Sequence, residues 1–217
     1  MKHTLLSILP VCLALTSVDL SAATCNGFSE TEAADLGYDI HNGTSLPDVL
    51  GDLDATPDWV VGKGGNDVIT TGPGNDIICG GIDADTIDSG DGVDSVFGDA
   101  GNDTINLGPG DFDYAEGGGG DDDISGDAGP DSIYGDDQPG AAPPGPGGRD
   151  VIEGGGGEDQ IFGGPKRDEI FGGSNDDLLF GEAGVDELTG DAGSDTGNGG
   201  SGVDALCDVE VPIDCPF

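Results

Sequence analysis

An aliphatic side chain returns every nine residues through most of the chain, each time two positions after an aspartate and each time flanked by polar or glycine-rich sequence. One aspartate per period gives Asp67, Asp76, Asp85, Asp94, Asp103, Asp113, Asp122, Asp131, Asp150, Asp159, Asp168, Asp177, Asp186, Asp195 and Asp204, and twelve of the fourteen intervals are nine residues. Two positions further on stand Ile69, Ile78, Ile87, Val96, Ile105, Ala115, Ile124, Ile133, Ile152, Ile161, Ile170, Leu179, Leu188, Gly197 and Leu206, of which thirteen of the fifteen are Val, Ile or Leu. Ala115 and Gly197 interrupt the series and predict local softness. One aliphatic residue between two mostly polar neighbours alternates as a half-buried strand does, with the middle side chain inward. The other six residues of a period, as in residues 154–162 (GGGGEDQIF), must reverse the chain. Glycine serves there because the backbone takes positive φ and carbonyls converge with no β-carbon between them. Two nine-residue periods make a coil of eighteen residues with one strand on each side. Stacked coils predict an all-β fold of two thin parallel sheets sharing an aliphatic core, with alternate turns lining opposite edges.

The two irregular intervals locate insertions. One extra residue falls between Asp103 and Asp113, and ten fall between Asp131 and Asp150, where the chain reads GDDQPGAAPPGPGGRD. Both precede the aspartate, in the turn half, so the strands keep phase, and residues 137–146 read as a surface loop. Residues 24–61 are closer to ordinary composition, yet Asp48 and Asp58 each have an aliphatic residue two positions later and Asp58 lies nine before Asp67. That segment reads as an N-terminal cap of degenerate repeats, since repeat arrays need their ends covered. The array spans residues 62–207, and residues 208–217 form a C-terminal cap.

Composition alone argues for disorder, because 45 acidic and 5 basic residues give a formal charge of -40 with only 5% aromatics. The retained phase of the aspartates overrides that reading. A charge of this sign repels nucleic acid and anionic membranes and concentrates cations. Residues 1–23 carry Lys2 and His3, an apolar run over 5–18 and small residues at 21–23. This is the pattern of a cleaved signal peptide, too short to span a membrane, so the chain is expected to be secreted. A lipid-anchored Cys25 is the weaker alternative, because Thr24 is a poor residue before a lipoprotein cysteine. Cleavage removes Asp19 and Lys2, leaving 44 acidic and 4 basic groups, still -40. Cys25, Cys79, Cys207 and Cys215 remain, and three pairings are open in an oxidising compartment. Cys207 with Cys215 is favoured because they flank the end of the array, and Cys25 with Cys79 would then tie down the N-terminal segment. Unpaired cysteines are the remaining reading.

One buried aliphatic residue per nine is a thin core for the backbone it must order, and stacked carboxylates repel. A hard dication repairs both faults, because carboxylate and carbonyl oxygens at flexible geometry suit Ca2+. Magnesium holds its water and demands a tighter octahedron. Zinc does not suit the array, since only His41 is left after cleavage. Eight turns on one edge and seven on the other leave seven and six gaps, at most thirteen interior Ca2+ sites, which would offset 26 of the 40 negative charges.

Residues 154–162 match the nonapeptide G-G-x-G-x-D-x-U-x at every fixed position, and residues 98–106 (GDAGNDTIN) depart only at the second glycine. The chain thus resembles the RTX, or hemolysin-type, calcium-binding repeat family over about residues 62–207. The resemblance implies a right-handed parallel β-roll with calcium held by the fifteen tracked aspartates and by turn carbonyls. Asp83, Lys166 and Asn175 stand where the third glycine belongs, and Lys166 and Arg167 bring two cations to one turn, where occupancy is expected to fall. Many members carry a catalytic domain, but here there is no HExxH, no GxSxG and no segment large enough to shape a pocket, so no enzyme activity is expected. The first reading is a secreted protein that folds on binding calcium, with a structural or surface-interaction role. The alternative is a calcium-dependent module for a glycan or protein partner, drawn from outward residues such as Phe162, Phe180 and, on the opposite face, Phe171. A hydrolase or protease accessory fragment ranks last.

Overall fold

The computed structural model describes residues 24–25, 28–110, 112–137, 147–202, 204, 206–208 and 211–213. The expected leader 1–23, the tip of the insertion and Cys215 lie outside the described residues, and so does the side chain of Cys207, so the favoured Cys207–Cys215 bridge is not addressed.

Each period forms its strand where the sequence places it, and every second strand joins the same sheet. One sheet has nine parallel strands: Val49–Leu50, Val68–Thr70, Thr86–Asp88, Thr104–Asn106, Asp123–Ser125, Val151–Gly156, Glu169–Ser174, Glu187–Ala192 and Leu206–Asp208. The opposite sheet has eleven, beginning with Asp39–Asn42, Asp58–Gly64 and Ile77–Ile82 and reaching Gln160–Lys166, Leu178–Gly184 and Val211–Ile213. This is a parallel β-roll. Among the described residues, helix is confined to Glu30–Leu36, which Ser29 starts with a capping box to Glu32.

The predicted inward residues form a continuous core from Val60 through Ile69 and Ile161 to Leu188, including Ala115. The insertions leave the phase intact: Ile124 pairs with Ile152 across the ten-residue excursion, and Val96 with Ala115 across the shorter one. At the C-terminal end the register slips, because Cys207 and not Leu206 lies opposite Leu188. Nineteen residues separate that pair where eighteen separate Ile170 from Leu188, so one residue has been taken up in the last turn. The strand of Gln160–Lys166 has seven residues where the sequence predicts three, because pairing continues into the glycine turn, where Gly164 lies opposite Glu182. Leu107 joins the core from the turn position usually held by glycine, a contribution the period does not show.

Residues ahead of the array extend both sheets and also cover one flank. Cys25, Ala33, Trp59, Val61, Cys79 and Phe97 form a second apolar cluster on the outer face of the eleven-stranded sheet. The Cys25–Cys79 disulfide closes it, which leaves no Cys25 thiol for a lipid. From Phe97 the same face carries a ring series the sequence only partly disclosed. Phe97, Tyr114, Tyr134, Phe162 and Phe180 follow one another with centroids 5.7, 5.8, 4.7 and 4.7 Å apart. Tyr114 is out of phase with the other rings. Glu116 holds the aligned backbone position, and the Tyr114 hydroxyl donates to the Glu116 carboxylate. Replacing Phe162 by Ala removes two stacked contacts, and each aromatic pair is worth about 0.5–1.5 kcal/mol beyond burial. Thermal denaturation in calcium should show a loss of at least about 1 kcal/mol for Phe162→Ala, and Phe171→Ala, on the other sheet, should cost less.

Candidate metal centre

The aspartates that mark the period are all drawn out of water. Asp67, Asp76, Asp85, Asp94, Asp103, Asp113, Asp122, Asp131, Asp150, Asp159, Asp168, Asp177, Asp186 and Asp195 are each at most 3% exposed, while Asp204 is half-buried. Each carboxylate does two things. Its Oδ1 accepts the backbone N–H of the aspartate two repeats earlier, at 2.7–3.2 Å throughout, as from Asp159 to Asp177. Wherever the first residue of its turn is glycine, its Oδ2 lies over that glycine, where an added Cβ would sit 2.6 Å away at Gly154 and 2.5 Å at Gly80; Thr71, Ser89 and Leu107 hold that position in the Asp76, Asp94 and Asp113 turns. A β-carbon there would crowd Oδ2, although the Asp76 and Asp94 turns accommodate Thr71 and Ser89 at this position.

Fifteen such links run along the two edges, and thirteen of them join two tracked aspartates, one for each interior gap. The other two come from Asp48 and Asp58, which continue the edges into the degenerate repeats. Asp58 ends its edge differently. Its Oδ1 meets His41 Nε2 at 3.0 Å, with Asp52 Oδ2 3.7 Å from the same nitrogen. The ligand atoms of His41, Asp52 and Asp58 lie within 4.8 Å of one another, as do those of Asp39, Asp52 and Asp54. The sequence hinted at Asp58 through its nine-residue spacing but gave no signal for His41 or Asp52.

The Oδ2 atoms are the chemically unfinished part of the site. Those of Asp67, Asp76, Asp85, Asp94, Asp103, Asp122, Asp131, Asp150, Asp159, Asp168, Asp177, Asp186 and Asp204 are buried with no hydrogen-bond donor. Buried anionic oxygens left without donors are costly, and the cost is visible in their acidity. Burial, then neighbouring carboxylates, pushes Asp94, Asp103, Asp131, Asp168 and Asp177 up to about 7, Asp150 to about 8, and Asp85, Asp122 and Asp186 to about 6. A row of unsatisfied carboxylate oxygens facing convergent glycine turns is the donor set that a hard, oxygen-seeking dication fits.

Most second turn positions, and several of the fourth positions where the motif's third glycine stands, take the left-handed backbone that glycine favours. Where that third glycine is missing, Asp83, Lys166 and Asn175 adopt φ of 78°, 89° and 85°. Lys166 and Arg167 do not enter the buried edge. Both side chains are exposed, and Arg167 Nη2 lies 3.6 Å from Glu187.

The raised acidities fix a pH dependence. A carboxyl whose folded value exceeds its unfolded value near 3.8 stabilises the metal-free roll below that value, and the contribution disappears as pH rises through about 6–8. The calcium-free chain should therefore show more strand signal at pH 5.5 than at pH 8. Circular dichroism of the dialysed chain at both values checks this, and a larger signal at pH 8 would contradict it.

Two parallel sheets, glycine turns and carboxylate-lined edges define a repetitive cation-binding β-roll. The chain belongs to the RTX calcium-binding nonapeptide repeat family, whose four-copy family model matches residues 54–87, 80–111, 113–138, 146–170 and 171–206. A comparison with curated proteins gave no match.

Proposed function

We propose that this protein is a secreted calcium-binding β-roll whose fold is completed by the ions it holds, and that its role is structural or surface-directed rather than enzymatic. The observation that carries the reading is the row of buried, donor-free Oδ2 atoms along both edges. Asp67, Asp76, Asp85, Asp94, Asp103, Asp113, Asp122, Asp131, Asp150, Asp159, Asp168, Asp177, Asp186, Asp195 and Asp204 would hold the ions together with turn carbonyls. Bound calcium supplies positive charge and oxygen coordination where the chain offers only anionic oxygens. The protein's part is to position those oxygens by the Oδ1 links and to keep water out with glycine turns.

The Cys25–Cys79 disulfide and the apolar leader support residence in an oxidising, calcium-rich compartment. No described helix is long and apolar enough to cross a membrane. The aromatic series supports sheet stability more than glycan capture. Tyr134, Phe162 and Phe180 stack with interplanar angles of 5° and 6°, so the ring faces a sugar would stack upon already touch each other.

Calcium counting on the intact chain tests the proposal. Titration calorimetry or native mass spectrometry should find many ions per chain, up to thirteen, and Asp159→Asn should reduce the number or the affinity. A chain that binds none or one in millimolar calcium would end this reading.

A further inference from the structure

The turn interrupted by the ten-residue insertion does not follow the repeat. In regular coils a Cβ added at the second turn glycine would meet a main-chain carbonyl oxygen from two repeats earlier: Asp99 O at 2.1 Å from Gly118, Asp127 O at 2.2 Å from Gly155, Gly155 O at 2.1 Å from Gly173. At Gly164 the atom in that place is the side-chain Oδ2 of Asp136, at 2.3 Å. Asp136 occupies the second position of the Asp150 turn, immediately before the excursion. Its carboxylate stands where its own turn's carbonyl would have been.

In regular turns that carbonyl accepts an amide from the residue after the second glycine. Gly119 N donates to Asp99 O at 2.7 Å, and Gly156 N to Asp127 O at 2.8 Å. The equivalent residue after Gly164 is Pro165, which has no N–H to give. Asp136 is only 7% exposed. Its Oδ1 accepts the N–H of Gly148 at 2.9 Å, and its Oδ2 has no donor. Beside it, Oδ2 of Asp150 lies over Gly135 and Oδ2 of Asp168 over Gly163, and both also lack donors. The nearby Lys166 is exposed and makes no ion pair with Asp136 among the described residues.

We infer that the edge between the Asp150 and Asp168 turns carries a cation site that departs from the repeat, in which Asp136 supplies a third carboxylate in place of a turn carbonyl. The inference rests on the calcium reading above and goes beyond it, since no position of the nonapeptide calls for an acid there. The insertion and Pro165 together leave three donor-free carboxylate oxygens at this gap, those of Asp136, Asp150 and Asp168, with the charge of the exposed Lys166 nearby. The site's ligand is calcium, whose affinity for an oxygen site is tuned by the number of charged ligands.

Calcium counting by native mass spectrometry on the intact chain at fixed free calcium tests it, comparing the natural chain with Asp136→Asn and with Asp123→Asn, an exposed acid on the sheet face. Asp136→Asn should hold one ion fewer, or bind one ion at least about tenfold more weakly, with unchanged circular dichroism. Asp123→Asn should keep the full number. A full complement at unchanged affinity in Asp136→Asn overturns the site and leaves the family reading standing, whereas a natural chain that binds no calcium overturns both. If Asp136→Asn does not fold in calcium, Pro165→Ala decides. It keeps every carboxylate and restores an N–H to compete for Oδ2, so one ion should bind more weakly, and unchanged binding of all ions overturns the site.

Discussion

Stripped of calcium at pH 8, the chain is expected to lose its strand signal in circular dichroism and to recover it cooperatively in millimolar calcium. At that pH Asp85, Asp122 and Asp186, raised by burial to about 6, and Asp94, Asp103, Asp131, Asp168 and Asp177, raised to about 7, are largely ionised, and thirteen named Oδ2 atoms have no donor. Through Oδ1 these carboxylates accept an N–H of the neighbouring turn. Repulsion along each edge then acts against a core that contributes a single aliphatic residue per strand. An ion that binds the folded state alone stabilises it by RT ln(1 + [L]/Kd), about 2.7 kcal/mol per site at a hundredfold excess over Kd. Several sites acting together exceed the 5–15 kcal/mol that ordinarily separates folded from unfolded chains. The effect should therefore be all or none, and sodium at equal ionic strength should not reproduce it. Strand signal indifferent to both chelator and calcium would refute the coupling of folding to the ion.

Gly120→Ala should break the roll even in saturating calcium. A Cβ at Gly120 would sit 1.3 Å from Gly101 O and 2.5 Å from Gly101 C, and the residue has φ of 146°. Those atoms are backbone of the adjoining coil, so relief requires moving one coil against another and disturbs the links of Asp103 and Asp122 at 2.8 and 2.9 Å. A loss of more than about 3 kcal/mol follows from overpacking together with backbone strain. Gly64→Ala is the matched control. Its added methyl would come no nearer than 3.8 Å to any atom, and its φ is not in the left-handed range. Denaturation in calcium should show the first variant collapsing and the second within about 1 kcal/mol of the natural chain, and equal stability of the two would contradict the close approach of the coils.

The architecture was legible because a single period carries both the strand and the turn. Ile161 and Asp159 are two residues apart on one strand end, so an inward aliphatic residue fixes where the carboxylate must emerge, and the alternation of sheets follows from the nine-residue spacing. Phe162 and Phe180 could be placed on one face for the same reason. What escaped was whatever left the period. Tyr114 joins the rings from a neighbouring position, Leu107 enters the core from a turn, and Cys207 replaces Leu206 opposite Leu188. His41 and Asp52 reach Asp58 from segments with no repeat spacing.

The sequence by itself determined the phase: which residue of each nine is buried, which is the carboxylate and which positions must lack a β-carbon. These are properties of one unit and need only local stereochemistry. Only the tertiary structure decided what each carboxylate faces, because Oδ1 and Oδ2 are distinguished by atoms of different turns, one eighteen residues away and the other in its own. Asp136 is the clearest instance. In the sequence it is one acid among many, and only the superposition of its turn on Gly164 and Pro165 shows a carboxylate standing where the repeat elsewhere presents a carbonyl.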